Sequence, residues 1–577
     1  MRTTFLALIL LLAAGSFLLW SFLTTPRAVL EMPTPAPTVA VLPTETLFVV
    51  EEGGCSAEIP IPGGFLIEGV VGAPVYPNPI LSDPNPIDRM LVDLLFDGLV
   101  RMDARGLPQP ALAEGWTVSE DGKALRFTLR SDAMWHDGQP VTSDDVLFSY
   151  GLLAEANLPN GISALWQTVQ MTAIDARTVE FVLSEPYAPF LEAVSRGVVP
   201  VHLLRGTSAA ELTVNTFNNR PIGTGPFLVA NDWVADGVLR LTPNSVYWGD
   251  VDLDGIEIRF FASDANLATA YLNNEVDALG LISAEAFAEL ASLPELRLFS
   301  SAEAHTTQLF FNIETGAMVD QRVRTAVAHS IDRPQLINEV VNGQGLPFNG
   351  PYPPNSWAAN TAFPLFPTNT ISATTLLNEA NWSIDEATGS RQRLAGETVE
   401  TLQLTLLILD TPRQQATATM LQAQLALNAI EVELDVQPFD AYLAALSARA
   451  FDMAIIDVLP LQDPDLYDFW SQEAIVIGQN YAGWNNRRAS ESLEIARQLY
   501  DPAERFEYYA GFNQAFAEDL PALGLYQAVQ SYGLRESVVA AGSGSGVIIG
   551  RISSPRDRYV TLRDWRVDSA EVAVPCD

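Results

Sequence analysis

Side chains able to do chemistry are scattered through this 577-residue sequence rather than gathered into a motif. The four histidines, His136, His202, His305 and His329, are far apart, and no HExxH motif appears. A zinc hydrolase needs ligands at short, regular spacings, so this pattern speaks against a metal centre. Carboxylates are abundant, and no single pair stands out as the acid and base of a glycosidase. The sequence therefore favours a protein with no catalytic residues, metal or cofactor.

The composition is that of a folded and strongly acidic protein. Hydrophobic residues make up 48% of the chain, charged residues make up 18%, and the formal net charge is -38. This apolar content is enough to form cores, and the length suits two or three packed units. Because so negative a protein repels phosphate backbones, no nucleic-acid partner is expected.

The first 55 residues predict a membrane or export segment followed by a tether. Residues 5–23 form an uncharged apolar run that is long enough to span a bilayer as a helix. Residues 1–25 are therefore interpreted as a retained transmembrane anchor, with a cleaved export signal as the alternative. Residues 26–55 are rich in proline and threonine and predict a flexible tether. Either interpretation places the body of the protein outside the cytoplasm.

The body alternates strand-like and helical segments, which is typical of an α/β fold. Alternation of apolar and polar residues predicts strands at 125–129, 179–183, 402–407 and 432–436. The last two flank a predicted helix, 413–428, and together they make a parallel βαβ unit. Apolar residues at three- and four-residue spacing predict further helices at 323–342 and 503–519.

A series of short segments occurs in a characteristic order along the body. The segments are LFDGLVR (95–101), PALAEGW (110–116), SEDG (119–122), FTLR (127–130), WHDG (135–138), TSDDV (142–146), PIGTGPF (221–227), RTAVAHSIDR (324–333), DPAER (501–505) and LPAL (520–523). Each one alone is weak evidence, whereas their order and spacing are specific. The series resembles the family 5 extracellular solute-binding proteins, the oligopeptide-, dipeptide- and nickel-binding class of ABC transporters.

The resemblance implies a two-lobed, periplasmic-binding-protein-like α/β fold of the large type II class, with an extra inserted subdomain. Lobe I would comprise residues 56–95, 216–304 and 531–577, the inserted subdomain residues 96–215, and lobe II residues 305–530. The lobes would be joined by crossing strands near 307–312 and 524–532. Hinged closure of the lobes would trap the ligand between them.

The resemblance also implies what this protein does. It would be a monomeric substrate-binding subunit of an ABC importer, capturing peptides or a similar small polar solute and delivering them to permease subunits. One alternative is a ligand-binding sensor or chaperone on the same scaffold. A less favoured alternative is a secreted hydrolase.

The resemblance carries over only in part to the ligand contacts. In peptide-binding relatives, an aspartate of the second lobe pairs with the peptide α-amino group, but the matching position here is Pro460. Asp457 or Asp463 is expected to take its place. Aromatic and amide side chains suit a mostly apolar pocket with a few polar anchors. The further predicted contacts of this kind are Asn85, Trp357, Tyr467, Trp470, Asn480, Tyr481 and Trp484. For each tryptophan the alternative is a core position.

The two cysteines, Cys55 and Cys576, lie at opposite ends of the body. So wide a spacing is unlike a zinc or iron-sulfur framework. In an oxidising compartment they could form a disulfide, and the alternative is two unrelated thiols. The predicted lobe I contains both ends of the body, which agrees with a disulfide.

Overall fold

The computed structural model describes residues 55–60, 63–82, 85–103, 106–155, 163–230, 237–354, 356–359, 363, 366–458, 462–535, 538–540, 565–566 and 569–574. The strands are β1 (Cys55–Pro60), β2 (Phe65–Val71), β3 (Val100–Met102), β4 (Pro108–Pro110), β5 (Ala113–Val118), β6 (Ala124–Leu129), β7 (Gln170–Asp175), β8 (Thr178–Val182), β9 (Phe227–Val229), β10 (Val238–Pro243), β11 (Gly255–Phe261), β12 (Ala278–Ile282), β13 (Leu296–Phe311), β14 (Gly345–Leu346), β15 (Ser383–Ile384), β16 (Arg391–Ala395), β17 (Thr398–Thr401), β18 (Gln403–Leu409), β19 (Glu431–Gln437), β20 (Met453–Val458), β21 (Ala522–Arg535), β22 (Val539–Ala540), β23 (Trp565–Arg566) and β24 (Ser569–Val574).

The helices follow the same order along the chain. They are α1 (Pro86–Leu95), α2 (Ser143–Leu153), α3 (Ser163–Trp166), α4 (Phe190–Ala193), α5 (Val201–Leu204), α6 (Ala209–Leu212), α7 (Asp264–Leu272), α8 (Ala284–Leu290), α9 (Gln321–Ser330), α10 (Arg333–Val340), α11 (Thr370–Glu379), α12 (Pro412–Ala426), α13 (Phe439–Ala448), α14 (Tyr467–Trp470), α15 (Ala474–Ile477), α16 (Arg487–Gln498) and α17 (Pro502–Asp519). Short 3-10 helices occur at Thr216–Asn219 and Gly316–Val319.

One large mixed sheet runs through the molecule in the order β19-β18-β20-β13-β21-β12-β2-β11-β10-β9. Its two central strands, β13 and β21, are the longest and pair antiparallel along most of their length. We call the part that contains β2 and β9–β12 the first lobe, and the part that contains β18–β20 the second lobe. The register of β13 and β21 shifts between Ala302 and Thr306, which is where the sheet passes from one lobe to the other.

A separate four-stranded antiparallel sheet, β5-β6-β8-β7, forms an inserted unit on the first lobe. The predicted strand alternation is confirmed there, because exposed Arg126 separates the fully buried Leu125 and Phe127. Their side chains share one hydrophobic core with residues of β2, β11 and α1. The second lobe has its own cores on the two faces of its sheet. The molecule therefore has two bodies: the first lobe with the inserted unit, and the second lobe.

The predicted parallel βαβ unit of the second lobe is confirmed by β18, α12 and β19. The two strands pair in parallel, with Leu404 opposite Val432. Helix α12 begins with Pro412 after the N-cap Thr411, whose side chain accepts a hydrogen bond from the backbone of Gln414. A proline fits this first turn because its missing N–H has no partner within the helix there.

The single helix predicted at 323–342 is wrong, because the structure has two helices there. Helix α9 ends at Ser330, and α10 begins at Arg333 after Asp332, whose side chain accepts a hydrogen bond from the backbone of Gln335. Pro334 lies in the first turn of α10. Proline disfavours helical backbone at the residue before it, and it has no N–H to donate to the preceding turn. The spacing of apolar residues alone does not reveal this break between the two helices.

Candidate functional site

The direction of the strands in the second lobe defines one wall of a cleft. Strand β20 runs antiparallel to β13, from Met453 opposite Phe311 to Val458 opposite Thr306. Its carboxyl end therefore lies beside the point where β13 enters from the first lobe. Strands β18 and β19 run parallel to one another, and β18 is parallel to β20. All three carboxyl ends point towards the first lobe.

The first lobe provides the facing wall. Strand β12 runs antiparallel to β21, from Ala278 opposite Leu534 to Ile282 opposite Ser531. It therefore ends close to the second lobe, and β2 and β11 run parallel with it. In open α/β sheets, ligands bind outside the carboxyl ends of the parallel strands. The candidate site is thus the cleft between the ends of β2, β11 and β12 and the ends of β18, β19 and β20.

Asp457 lies at the second-lobe wall, one residue before the end of β20. Its carboxylate accepts a 2.7 Å hydrogen bond from the hydroxyl of Thr307, its cross-strand neighbour, and a 3.0 Å bond from the amide of Gln414. The guanidinium of Arg413 lies 3.7 Å away and is 43% exposed. Asp457 is therefore a fixed carboxylate beside a cation that faces solvent. The sequence did not predict these three neighbours of Asp457, because they approach it only when β13 and α12 pack beside β20.

Asp463 lies after β20 and forms a buried ion pair. Its two carboxylate oxygens accept hydrogen bonds of 2.6 and 2.5 Å from Arg505. The remaining donors of Arg505 reach the carbonyl of Ala496 at 2.9 Å and the hydroxyl of Tyr509 at 2.6 Å. These bonds commit the Asp463 side chain to the packing of α17 rather than leaving it open to the cleft.

Tyr467 is partly exposed at the start of α14. The guanidinium carbon of Arg497 lies 4.3 Å from its ring centroid, and its hydroxyl donates to Glu473 over 3.1 Å. Arg497 also forms a 2.7 Å ion pair with Asp465. Burial raises the pKa of Asp465 against the opposing effect of Arg497.

Four of the predicted contacts lie in the interior of the second lobe rather than on a cleft wall. Trp357, Trp470, Asn480 and Trp484 are each at most 2% exposed. The Trp470 ring stacks on Phe310 with centroids 4.8 Å apart. The Asn480 amide bonds to the backbone of Ser471 and Trp484. These positions support the core interpretation, because large rings in an α/β lobe bury most area inside it.

Tyr481 and Asn85 lie outside that interior group. Tyr481 is partly buried against the second-lobe core, and this burial raises its pKa to about 12. Asn85 is the N-cap of α1, accepting from the backbone of Ile87 at 2.8 Å and donating to the carbonyl of Ala73 at 3.0 Å. Asn85 thus lies near the first-lobe wall and holds the segment that follows β2.

Asp88 on α1 also holds the segment that follows β2, at the residues just after Ala73. It is 1% exposed, and its two carboxylate oxygens accept hydrogen bonds from the backbone of Val75 at 2.8 Å and Tyr76 at 2.6 Å. Burial raises its pKa from the ordinary 3.8 to about 6, although these two bonds oppose the shift. Sequence analysis did not predict Asp88, since one aspartate in a helix gives no signal of its partners.

The pH dependence of stability should report on Asp88. Because the folded protein binds this proton more tightly than the unfolded chain, its contribution to stability is present below pH 4 and is lost as pH rises to about 6. The difference in unfolding free energy between wild type and Asp88→Asn should therefore fall by roughly 3 kcal/mol between those pH values. Urea denaturation at intervals from pH 4 to 7 measures it. A difference that stays constant with pH would contradict the assignment.

Comparison with known proteins identifies the architecture. The family model for bacterial extracellular solute-binding proteins, family 5 (middle), matches residues 108–473, which is more than half of the chain. The chain belongs to this family.

Individual relatives match over most of the chain. The oligopeptide-binding protein AppA of Bacillus subtilis is 26% identical over 82% of this chain and 87% of its own. The dipeptide-binding protein of Escherichia coli is 24% identical over 72% of this chain and 80% of its own. The unliganded open form of the periplasmic murein tripeptide-binding protein MppA covers 88% of this chain and 98% of its own, at 21% identity and a TM-score of 0.73. The two-lobed, periplasmic-binding-protein-like α/β fold is confirmed.

The predicted membrane anchor and its apolar run fall within residues 1–54, which lie outside the described residues. Across the ranges that the structure does describe, no helix of this family 5 chain is long and apolar enough to cross a bilayer.

Proposed function

We propose that this chain is the extracytoplasmic substrate-binding subunit of an ABC importer and captures peptides or a similar small polar solute. The observation that carries the proposal is that the carboxyl ends of the parallel strands of the two lobes face each other, in a member of the family 5 solute-binding proteins. Among the strands that the structure describes, β13 and β21 join the lobes of the large sheet, so a modest change in these two strands can close the cleft. The protein does no chemistry of its own on the solute.

The relatives support the importer over the alternatives. Curated proteins similar to this chain include an oligopeptide-binding protein, a dipeptide-binding protein and a putative ABC transporter peptide-binding protein of Brucella ovis. A sensor or chaperone would use the same cleft, but these names favour transport and permease partners. Membership of a binding-protein family favours that role over a secreted hydrolase.

The chemistry of the cleft wall suits a zwitterionic ligand. Asp457 offers a carboxylate already oriented by Thr307 and Gln414, and Arg413 offers a partly exposed cation beside it. A peptide carries an α-amino group, which the carboxylate of Asp457 can complement. Asp457 would then take the role that relatives give to an aspartate at the position of Pro460.

Native mass spectrometry of the purified protein tests this function. We expect one small solute per chain, recovered with its covalent structure unchanged after denaturation. A thermal-shift screen of di- and tripeptides should then raise the melting temperature, since a ligand that binds only the folded form stabilises it. Recovery of cleaved fragments from an intact added peptide would contradict a binding protein without catalysis.

We also propose that residues 1–25 remain as a membrane anchor and that residues 26–55 tether the body to it. The length of the apolar run at residues 5–23 supports retention over cleavage. The tether would leave the cleft accessible to permeases in the same membrane.

Cys55 and Cys576 should form a disulfide that fastens the ends of the body. Strands β1 and β24 pair antiparallel with Cys55 opposite Val574, two residues before Cys576 along the chain. Cys576 itself lies outside the described residues. Peptide mapping without reductant should recover a cross-linked peptide holding both cysteines. Free thiols at both positions in protein exported to an oxidising compartment would refute the pairing.

A further inference from the structure

The two bodies touch at a place other than the crossing strands. Glu192, in α4 of the inserted unit, reaches the second lobe with both carboxylate oxygens. One oxygen accepts the backbone N–H of Gln462 at 2.8 Å, and the other accepts the backbone N–H of Asp463 at 2.6 Å. A carboxylate that accepts two consecutive backbone N–H groups makes charge-assisted bonds with little geometric freedom.

Neighbouring residues extend this contact on both sides. The backbone N–H of Ala188 donates to the carbonyl of Arg497 at 2.7 Å. The hydroxyl of Tyr500 donates to the carbonyl of Gly122 at 2.9 Å and accepts from the backbone of Tyr187 at 3.3 Å. The contact therefore joins two segments of the inserted unit to two segments of the second lobe.

The residues that Glu192 holds come shortly after the second-lobe wall along the chain. Gln462 and Asp463 follow β20, whose carboxyl end forms the second-lobe wall and bears Asp457. Asp463 is fixed from the other side by its buried ion pair with Arg505. Its backbone is thus held by the inserted unit and its side chain by α17. The two bonds of Glu192 fix the backbone of Gln462 and Asp463 to the other body.

We propose that Glu192 is a positioning residue for ligand binding, through which the inserted unit sets the backbone at Gln462 and Asp463 and so shapes the second-lobe wall. The inference rests on the proposed function for its ligand readout. It assigns to the inserted unit a role in the cleft beyond packing against the first lobe. Binding strength then depends on a residue that lies in neither wall.

Hydrogen–deuterium exchange of the full-length protein, as purified with its solute, tests the hold directly. Glu192→Gln keeps the size of the side chain but removes the charge and one acceptor. We expect the peptide that contains Gln462 and Asp463 to exchange at least about 10-fold faster, with other second-lobe peptides unchanged, because local opening governs exchange. Glu185→Gln is the matched control on the same unit, since its side chain is 74% exposed in an ion pair with Lys123. Unchanged exchange in Glu192→Gln would overturn the inference.

The Kd for tri-alanine, measured by calorimetry, shows whether Glu192 positions the wall for ligand binding or only joins the two bodies. We expect Glu192→Gln to raise the Kd about 10-fold or more while the melting temperature stays close to that of Glu185→Gln. Faster exchange with unchanged Kd would overturn the positioning role. If the wild-type protein itself binds no tripeptide, the peptide proposal fails, and the exchange result alone decides whether Glu192 sets this wall. Tighter binding by Glu192→Gln would also overturn the inference, because it would show Glu192 competing with ligand for the two N–H groups.

A second variant keeps the test decisive if Glu192→Gln fails to fold. Tyr500→Phe keeps the ring and removes only the hydroxyl that bonds to Gly122 and Tyr187. We expect faster exchange in the same Gln462–Asp463 peptide, by a smaller factor. No change there would overturn the inference.

Discussion

Asp463→Ala should lower the free energy of unfolding by about 3–5 kcal/mol, because it leaves the charge of Arg505 buried without its partner. The Asp463 and Arg505 side chains are only 8% and 5% exposed and meet through two short hydrogen bonds. Arg505 is also enclosed by aromatic rings, with its guanidinium carbon 5.3 Å from the Trp357 ring centroid and 5.4 Å from that of Tyr509. Water cannot readily replace the lost carboxylate. Urea denaturation followed by tryptophan fluorescence measures the loss.

An exposed ion pair and a double variant are the controls for this prediction. Arg487→Ala removes an exposed i,i+4 pair with Glu491, whose side chains are 81% and 52% exposed, and should cost no more than about 0.5 kcal/mol. Replacing Asp463 and Arg505 together by Leu and Met should recover most of the loss, since neither charge then remains buried. A cost below about 1 kcal/mol for Asp463→Ala would show that the pair is not the buried support described here.

Asp457→Asn should weaken binding of tri-alanine by about 10- to 100-fold, because a hydrogen bond between charged groups contributes roughly 1.5–3 kcal/mol. The variant keeps an acceptor for Thr307, so the wall should hold its shape while its charge is lost. Calorimetric titration of both proteins at pH 7 measures the change. Glu433→Gln, which removes an exposed carboxylate on β19 of the same sheet, should leave the affinity unchanged.

A blocked peptide shows which ligand group Asp457 recognises. N-acetylated tri-alanine lacks the cationic amine, so it should bind the wild-type protein weakly and lose little further in Asp457→Asn. Equal weakening of the free and acetylated peptides would contradict recognition of the α-amino group. In that case Asp457 would act only in the packing of β20 against α12.

The elements that local pattern determines were predictable from sequence. Strand alternation placed β6, β8, β18 and β19, and the 413–428 helix agrees with α12 because one apolar face packs on the sheet. The crossing strands were expected at 307–312 and 524–532, but β13 begins at Leu296 and β21 extends to Arg535. Their lengths depend on pairing with each other over a long sequence separation, which short windows do not show. The exact lobe boundaries stay predictions.

A residue of the candidate site was predictable only where it differs clearly in type from its neighbours along the chain. Asp457 interrupts an apolar strand, and the structure places it one residue before the end of β20. Its contact with a ligand stays a prediction. Trp470 and Trp484 were chosen by residue type alone, and a tryptophan is equally suited to a core. The sequence does not point to Thr307, Gln414 or Glu192, because each of them acts through a hydrogen-bond partner at least 43 residues away along the chain.

Small-angle X-ray scattering of the protein with and without its copurified solute tests hinged capture most directly. The solute is removed by unfolding and refolding, identified by mass spectrometry and added back. Capture between two lobes predicts a smaller radius of gyration in the loaded protein and recovery of the solute unaltered. An unchanged radius of gyration on saturation, or a solute that emerges cleaved, would contradict it.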